Sequence, residues 1–282
     1  MQIDRVDKRL QGRLQRSGPV APHKFAVRST RSRPAFFGLF DPQHGCPEQP
    51  ANTFDKPPVA VCGVGERFQL LRLRGPGPAL AAFVDRVRAD HPSYWCAPVP
   101  PFGPRAPRLL VVGLAPGLHG ANATGRAFTG DYAGILLYRT LHAYGHASGP
   151  ESVSRDDALA LSDCRITNAV KCLPPDNRPT PAEVANCNRY LAADLSSLPE
   201  GAAVLALGRI AHDAVLRALD LRARSHPFAH GARHPLGVGA LTLFDSYHCS
   251  RYNTNTRRLT EPMFRAVFES IAGHLTDGRA RP

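Results

Sequence analysis

Short apolar runs at 109–112, 164–170, 204–207 and 241–244 constrain this chain more than any other feature. Those at 109–112 and 204–207 hold no polar residue, Thr242 alone interrupts the last, and 164–170 carries Arg165, Thr167 and Asn168; all four read as strands of a parallel sheet. The stretches between them carry helical signals. An apolar stripe of Ile135, Leu136, Tyr138 and Leu141 marks a helix over 133–144. Thr180, Pro181 and Glu183 form a capping-box start for the next. Gly208 turns the third run into a helix over 209–219, and helices over 79–89 and 261–274 flank the set. Strands alternating with helices predict an α/β domain with a parallel sheet between helical layers.

In such sheets, ligands collect outside the carboxyl ends of the strands. Two loops there carry unusual chemistry. The first, GLAPGLHGANATGRAFTGD at 113–131, places Gly113, Gly117, Gly120, Gly125 and Gly130 within 18 positions. Glycines at that density let backbone N–H groups approach an anion or a flat ring. The spacing is neither GxGxxG nor a Walker loop, and Phe128, an aromatic that looks exposed among polar neighbours, is suited to stacking on a base. The second, SYHCSRYNTNTRRLT at 246–260, offers His248 just past a strand, followed by Ser250, Arg251, Tyr252 and Asn253. A histidine there can donate to a developing negative charge. Its polar neighbours suit phosphates, and Arg251 or Tyr252 is bulky enough to enter a duplex as a wedge.

Charge points the same way. The formal net charge is +12, and only Lys8, Lys24, Lys56 and Lys171 are lysines, so arginine supplies nearly all of it. Guanidinium pairs with phosphate in a fixed fork, which suits a polyanionic partner. A high-GC genome, in which Arg codons replace Lys codons, accounts equally well for the Arg/Lys ratio, though not for the net charge. Seven cysteines without regular pairing argue against a disulfide framework. With no membrane-length apolar run and no secretory leader, the expectation is a soluble, cytoplasmic monomer. Residues 1–75 are expected to be a basic, Pro/Gly-rich and partly disordered extension, and 76–282 the catalytic domain. The first 34 residues alone hold nine Lys or Arg against two Asp.

Taken jointly, the two loops and ITNAVKCLPPDNRPTPAE at 166–183 resemble the uracil-DNA glycosylase superfamily, and most closely its family 5, over roughly 78–275. The resemblance implies a three-layer α/β/α sandwich around a four-stranded parallel sheet. It implies a monofunctional enzyme that flips uracil, and other deaminated bases, out of DNA and hydrolyses the N-glycosidic bond. The alternative is a protein that binds uracil DNA or abasic sites without turnover. On this likeness Phe128 stacks on the base, Asn168 reads its N3–O4 edge and His248 stabilises the departing anion. Ala115, Gly117 and His119 line the base pocket, while Ser246, Ser250, Arg251, Tyr252 and Asn253 hold the DNA.

Departures from the family pattern matter as much. Ala115 stands where many members have a water-polarising acid, leaving Asn122 as the nearest substitute, able only to orient water. Gly117 replaces a bulky tyrosine of the narrow uracil enzymes and leaves room for larger bases. Cys249 replaces a proline and is expected to pack, not to react. Families 4 and 5 usually hold an iron–sulfur cluster on four cysteines. Cys172 and Cys187 match the later pair, but Arg74 and Gly77 stand where the first two belong, so no cofactor is expected. The alternative is a [4Fe-4S] cluster completed by Cys62 or Cys96. No other metal site is expected; the loop HPFAHGARHP at 226–235 should lie along the DNA groove or cap the sheet rather than bind zinc.

Overall fold

A computed structural model describes residues 77–277 of the 282-residue chain. The extension expected at 1–75, with Cys62 and Arg74, lies outside the described residues. Helix α1 (Pro78–Asp90) leads into strand β1 (Leu109–Gly113), then the short α2 (Ala121–Thr124) and α3 (Tyr132–Ala143). Strand β2 (Cys164–Asn168) is followed by α4 (Pro181–Leu195), β3 (Ala203–Leu207) and α5 (Arg209–Ala218). Strands β4 (Arg233–Pro235) and β5 (Thr242–Ser246), the single-turn α6 (Arg251–Asn255) and α7 (Glu261–Asp277) complete the order.

The sheet runs β2-β1-β3-β5-β4. Its first four strands are parallel, as the apolar runs predict. The fifth, β4, adds to the expected four: it pairs antiparallel with β5 and comes from the histidine-bearing loop. That loop therefore covers the sheet edge, one of the two expected roles. Its three residues carry no apolar run to betray them. The second apolar run also ends earlier as a strand than 170. Ala169 and Val170 instead donate their N–H groups to the Gly113 and Leu114 carbonyls as the chain leaves the sheet.

Burial divides by strand face. Leu109, Val111, Ile166, Leu205 and Phe244 pack with α3 and α7, where Leu137, Tyr138, Phe264 and Phe268 meet them. Leu110, Val112, Val204, Ala206 and Leu243 face α4 and α5 through Leu191, Leu195, Val215 and Leu216. The period-two alternation of strand side chains thus fills two cores from one set of strands. The capping box at Thr180 forms as read, with both reciprocal bonds to Glu183. Among the described residues no helix is long and apolar enough to cross a membrane.

The register places the functional edge. Gly113 pairs with Asn168 and Leu207 with Ser246, so β1, β2, β3 and β5 end level. Both unusual loops leave the sheet at that edge, and the side chains they carry can share one space.

Candidate active site

A cavity of about 530 Å³ opens at this edge, lined among others by Ala115, Gly117, Phe128, Asp131, Asn168 and His248. Its volume falls in the range of small-molecule pockets. Ser250 and Arg251 also reach its wall. Side chains from two loops and one strand end thus meet around one space: Phe128, His248 and Asn168.

Phe128, expected on the surface, is only 5% exposed, with φ of 56°. Left-handed backbone is costly for a bulky residue and persists where its surroundings over-determine it. They do so here. Tyr138 donates its hydroxyl to the Ala127 carbonyl at 2.7 Å. The Phe128 carbonyl rests on Gly134, where any Cβ would come within 1.9 Å of it. Two residues earlier, buried Arg126 donates to both Asp157 oxygens at 2.6 Å, to Ser152 Oγ at 2.6 Å and to Thr129 Oγ1 at 2.9 Å. Burial works against the Asp157 carboxylate, yet Arg126 and nearby backbone N–H groups hold its pKa well below the usual range. The phenyl ring also needs Gly113: a Cβ there would sit 2.6 Å from Phe128 Cζ and 2.4 Å from Asn168 Oδ1.

Asn168 ends β2 and is 4% exposed, and its Oδ1 has no hydrogen-bond partner. Leaving a buried acceptor unpaired costs on the order of 1–3 kcal/mol, so such an atom in a cavity wall points to something it must receive. His248 stacks toward Phe128, with ring centroids 6.0 Å apart and planes inclined by 25°. Burial pushes its pKa down to about 4, so the imidazole is neutral near pH 7. A neutral imidazole still offers one N–H donor. Asn253 Nδ2 donates to the His248 carbonyl at 2.8 Å and fixes its backbone.

The remaining expected site residues divide. Ala115 and Gly117 line the cavity, and the space beside Gly117 is open: a Cβ added there would meet Asp131 Oδ2 as its nearest atom, at 3.9 Å. Asn122 is fully buried outside the lining, donating to Cys96 Sγ at 3.4 Å. His119 also lies outside it, with Nδ1 2.9 Å from the Tyr94 hydroxyl. Ser246 is fully buried and donates to the Tyr247 carbonyl at 2.9 Å. Ser250 caps α6, Arg251 lies over the Tyr132 ring at 5.0 Å, and Tyr252 is 70% exposed. Cys249 is buried, which raises its thiol pKa and suits packing.

Sequence reading passes over Asp131. It is the single carboxylate in the cavity lining. One oxygen accepts the Gly134 N–H at 3.0 Å as the N-cap of α3, while burial raises its pKa against that bond. The signal in the sequence, an Asp before a helix, speaks only for a cap.

The cysteines test the cluster. Cys96, Cys172 and Cys187 share an apolar pocket with Leu80, Val84 and Val87 of α1. Burial pushes the Cys172 thiol up to about 12 and raises Cys187 as well. Cys164 and Cys249 belong to the other core. The described residues therefore bring three thiols to this pocket, where an iron–sulfur cube takes four ligands. Cys62, the other candidate ligand, lies outside the described residues.

Comparison with known proteins agrees with the geometry. The family model described as the uracil DNA glycosylase superfamily matches residues 100–272. A type-5 uracil-DNA glycosylase of Thermus thermophilus is 51% identical over 62% of this chain and 78% of its own length. One from Pyrobaculum aerophilum is 46% identical over 64% and 77%. A type-4 uracil-DNA glycosylase of Saccharolobus solfataricus is 28% identical over 62% and 76%.

Proposed function

Because the chain belongs to the uracil-DNA glycosylase superfamily, with its type-5 members at 44–51% identity, we propose that this cavity hydrolyses the N-glycosidic bond of uracil in DNA. The observation that carries the reading is the orphaned Asn168 Oδ1 in the same cavity as Phe128 and His248. Uracil presents an N3–H donor beside an O4 acceptor. The Asn168 amide offers the matching acceptor and donor, whereas cytosine would turn its own N3 acceptor toward Oδ1. A flipped base on the Phe128 face thus satisfies the atom that folding leaves unpaired.

Bond cleavage follows from the same placement. As C1′–N1 breaks, negative charge spreads to uracil O2, and the neutral His248 N–H donates to it. A neutral donor suits this task, because its proton stays on the imidazole while the anion leaves. The sugar becomes oxocarbenium-like and accepts a weakly activated water. Asp131, with one oxygen free of the helix cap, orients that water in this reading. Lys171, the only lysine after residue 56, is 1% exposed and bound to Thr167 Oγ1 and, at 3.1 Å, to Asp194. It is not available as the amine that strand cleavage needs, which supports a monofunctional enzyme.

The open space beside Gly117 supports a pocket that also takes larger deaminated bases such as xanthine or hypoxanthine. Catalysis without a cluster belongs to this reading, and an iron assay with an absorption spectrum tests it: stoichiometric iron contradicts it. Five free buried thiols among the described residues suit a reducing, cytoplasmic setting. Monomeric action and a basic extension at 1–75 that tethers DNA belong to the same proposal. Base release from oligonucleotides carrying uracil, xanthine or hypoxanthine tests the whole. Release of uracil is required, and uracil alone would remove the broad-pocket part.

A further inference from the structure

Asp245 precedes Ser246 on β5 and has no solvent exposure. A buried carboxylate needs a cation or strong donors, yet among the described residues no Lys or Arg pairs with it. Its oxygens meet imidazoles instead: His212 Nδ1 lies 2.7 Å from Oδ1 and His234 Nε2 lies 3.2 Å from Oδ2. The other nitrogen of His212, Nε2, is 2.8 Å from the His226 carbonyl. A carbonyl only accepts, so that nitrogen carries the proton. Neutral His212 then turns the Nδ1 lone pair toward a carboxylate oxygen. Two acceptors cannot face each other at hydrogen-bond distance unless a positive charge lies between them.

One nitrogen of each histidine and one Asp245 oxygen all lie within 4.8 Å of one another, from a helix, the edge strand and a central strand. We propose that His212, His234 and Asp245 form a zinc site. Imidazole and carboxylate donors are the borderline ligands zinc takes, commonly in tetrahedral array. The Nε2–H bond from His212 to a carbonyl is the outer contact that fixes a ligating tautomer. His226 lies beside this set without belonging to it. Its ring centroid is 5.7 Å from that of His234, and its Nδ1 lies 3.3 Å from the Arg222 carbonyl, which leaves Nε2 with the lone pair.

The ion would brace rather than react, because none of these residues lines the cavity. It would fasten the loop bearing β4 to α5 and to the end of β5, three residues before His248. The same loop accepts the Tyr247 N–H on His230 Nδ1 at 3.2 Å. The site thus ties the edge of the sheet to the root of the second loop, and it stands independently of the glycosylase reading.

The full chain, stripped with a chelator, would be titrated with Co(II) alone and with Zn(II) alone. One equivalent should bind, with a tetrahedral cobalt spectrum lacking thiolate charge transfer, and the melting temperature should rise with added zinc. Asp245→Asn should weaken binding at least tenfold. His234→Ala, at a partly exposed position, should do the same in a protein that still folds. Cys172→Ala should leave binding unchanged. No stoichiometric binding overturns the site and leaves a proton between His212 and Asp245, as does binding that survives both ligand variants.

Discussion

The two loops that build the cavity are held in opposite ways. The first is fastened from the interior: Arg126, Tyr138, Gly113 and Gly134 fix Phe128 where its backbone would not go alone. The second is fastened at its root, through Asn253 and the Ser250 cap, while Arg251 and Tyr252 project outward. The contrast assigns separate tasks. A base that must be held flat needs a surface with one conformation, whereas a duplex of variable sequence needs side chains that adapt. His248 joins the two, since it belongs to the second loop yet faces the Phe128 ring of the first.

The comparison is broken most severely at that junction. His248→Ala should remove about 3 kcal/mol of transition-state stabilisation, the size of one lost oxyanion donor, or more than a hundredfold in single-turnover uracil release. The lowered pKa makes a companion statement with a definite sign. Between the ordinary histidine value and about 4, the unfolded chain binds a proton here that the folded chain does not. Stability from this site is therefore full above about pH 6.5 and is lost as pH falls through about 4. His248→Gln should lose less melting temperature than the parent between about pH 7 and pH 4.

The interior fastening is next. Asp157→Ala leaves the buried Arg126 guanidinium without its carboxylate and should cost about 3 kcal/mol of folding stability. Chemical denaturation measures that loss, and the uracil-release rate should fall with it as Phe128 loses its support. A fall in stability with an unchanged rate would show that Phe128 needs no bracing.

Asp131→Asn separates cap from chemistry, because Asn caps helices as well as Asp does. The melting temperature should hold while kcat falls about tenfold and KM changes little, an effect near ~1.4 kcal/mol. A shifted melting temperature with normal kcat would return Asp131 to a capping role. Smallest of all, Tyr252→Ala should leave release from single strands intact and slow release from duplexes a few-fold. An equal effect on both would remove its part in filling the vacated stack.

The parallel strands and their helices were legible because continuous apolar runs and capping signals report burial and chain direction locally. That both functional loops meet at one edge followed as well, since they leave from strand ends. The antiparallel β4 was not legible, because Arg233-His234-Pro235 pairs through its backbone, and backbone pairing leaves no mark on composition. Phe128 read as exposed because polar neighbours surround it in sequence. The contacts that bury it come from Tyr138, Gly134 and Gly113, which only the fold brings near. Asn122, expected to orient water, and Ser246, expected to hold DNA, are both fully buried and outside the cavity lining. Asp131 escaped notice because its capping role is a sufficient local reason for it.

Recognition of uracil by the Asn168 amide is the claim on which the rest depends. Its most direct test is single-turnover release from matched oligonucleotides carrying uracil or cytosine, for the parent and for Asn168→Asp. The parent should release uracil and spare cytosine, and Asn168→Asp should lose uracil release as its carboxylate loses the donor to O4. Undiminished uracil release by Asn168→Asp, with cytosine still spared, would place recognition elsewhere and contradict the account.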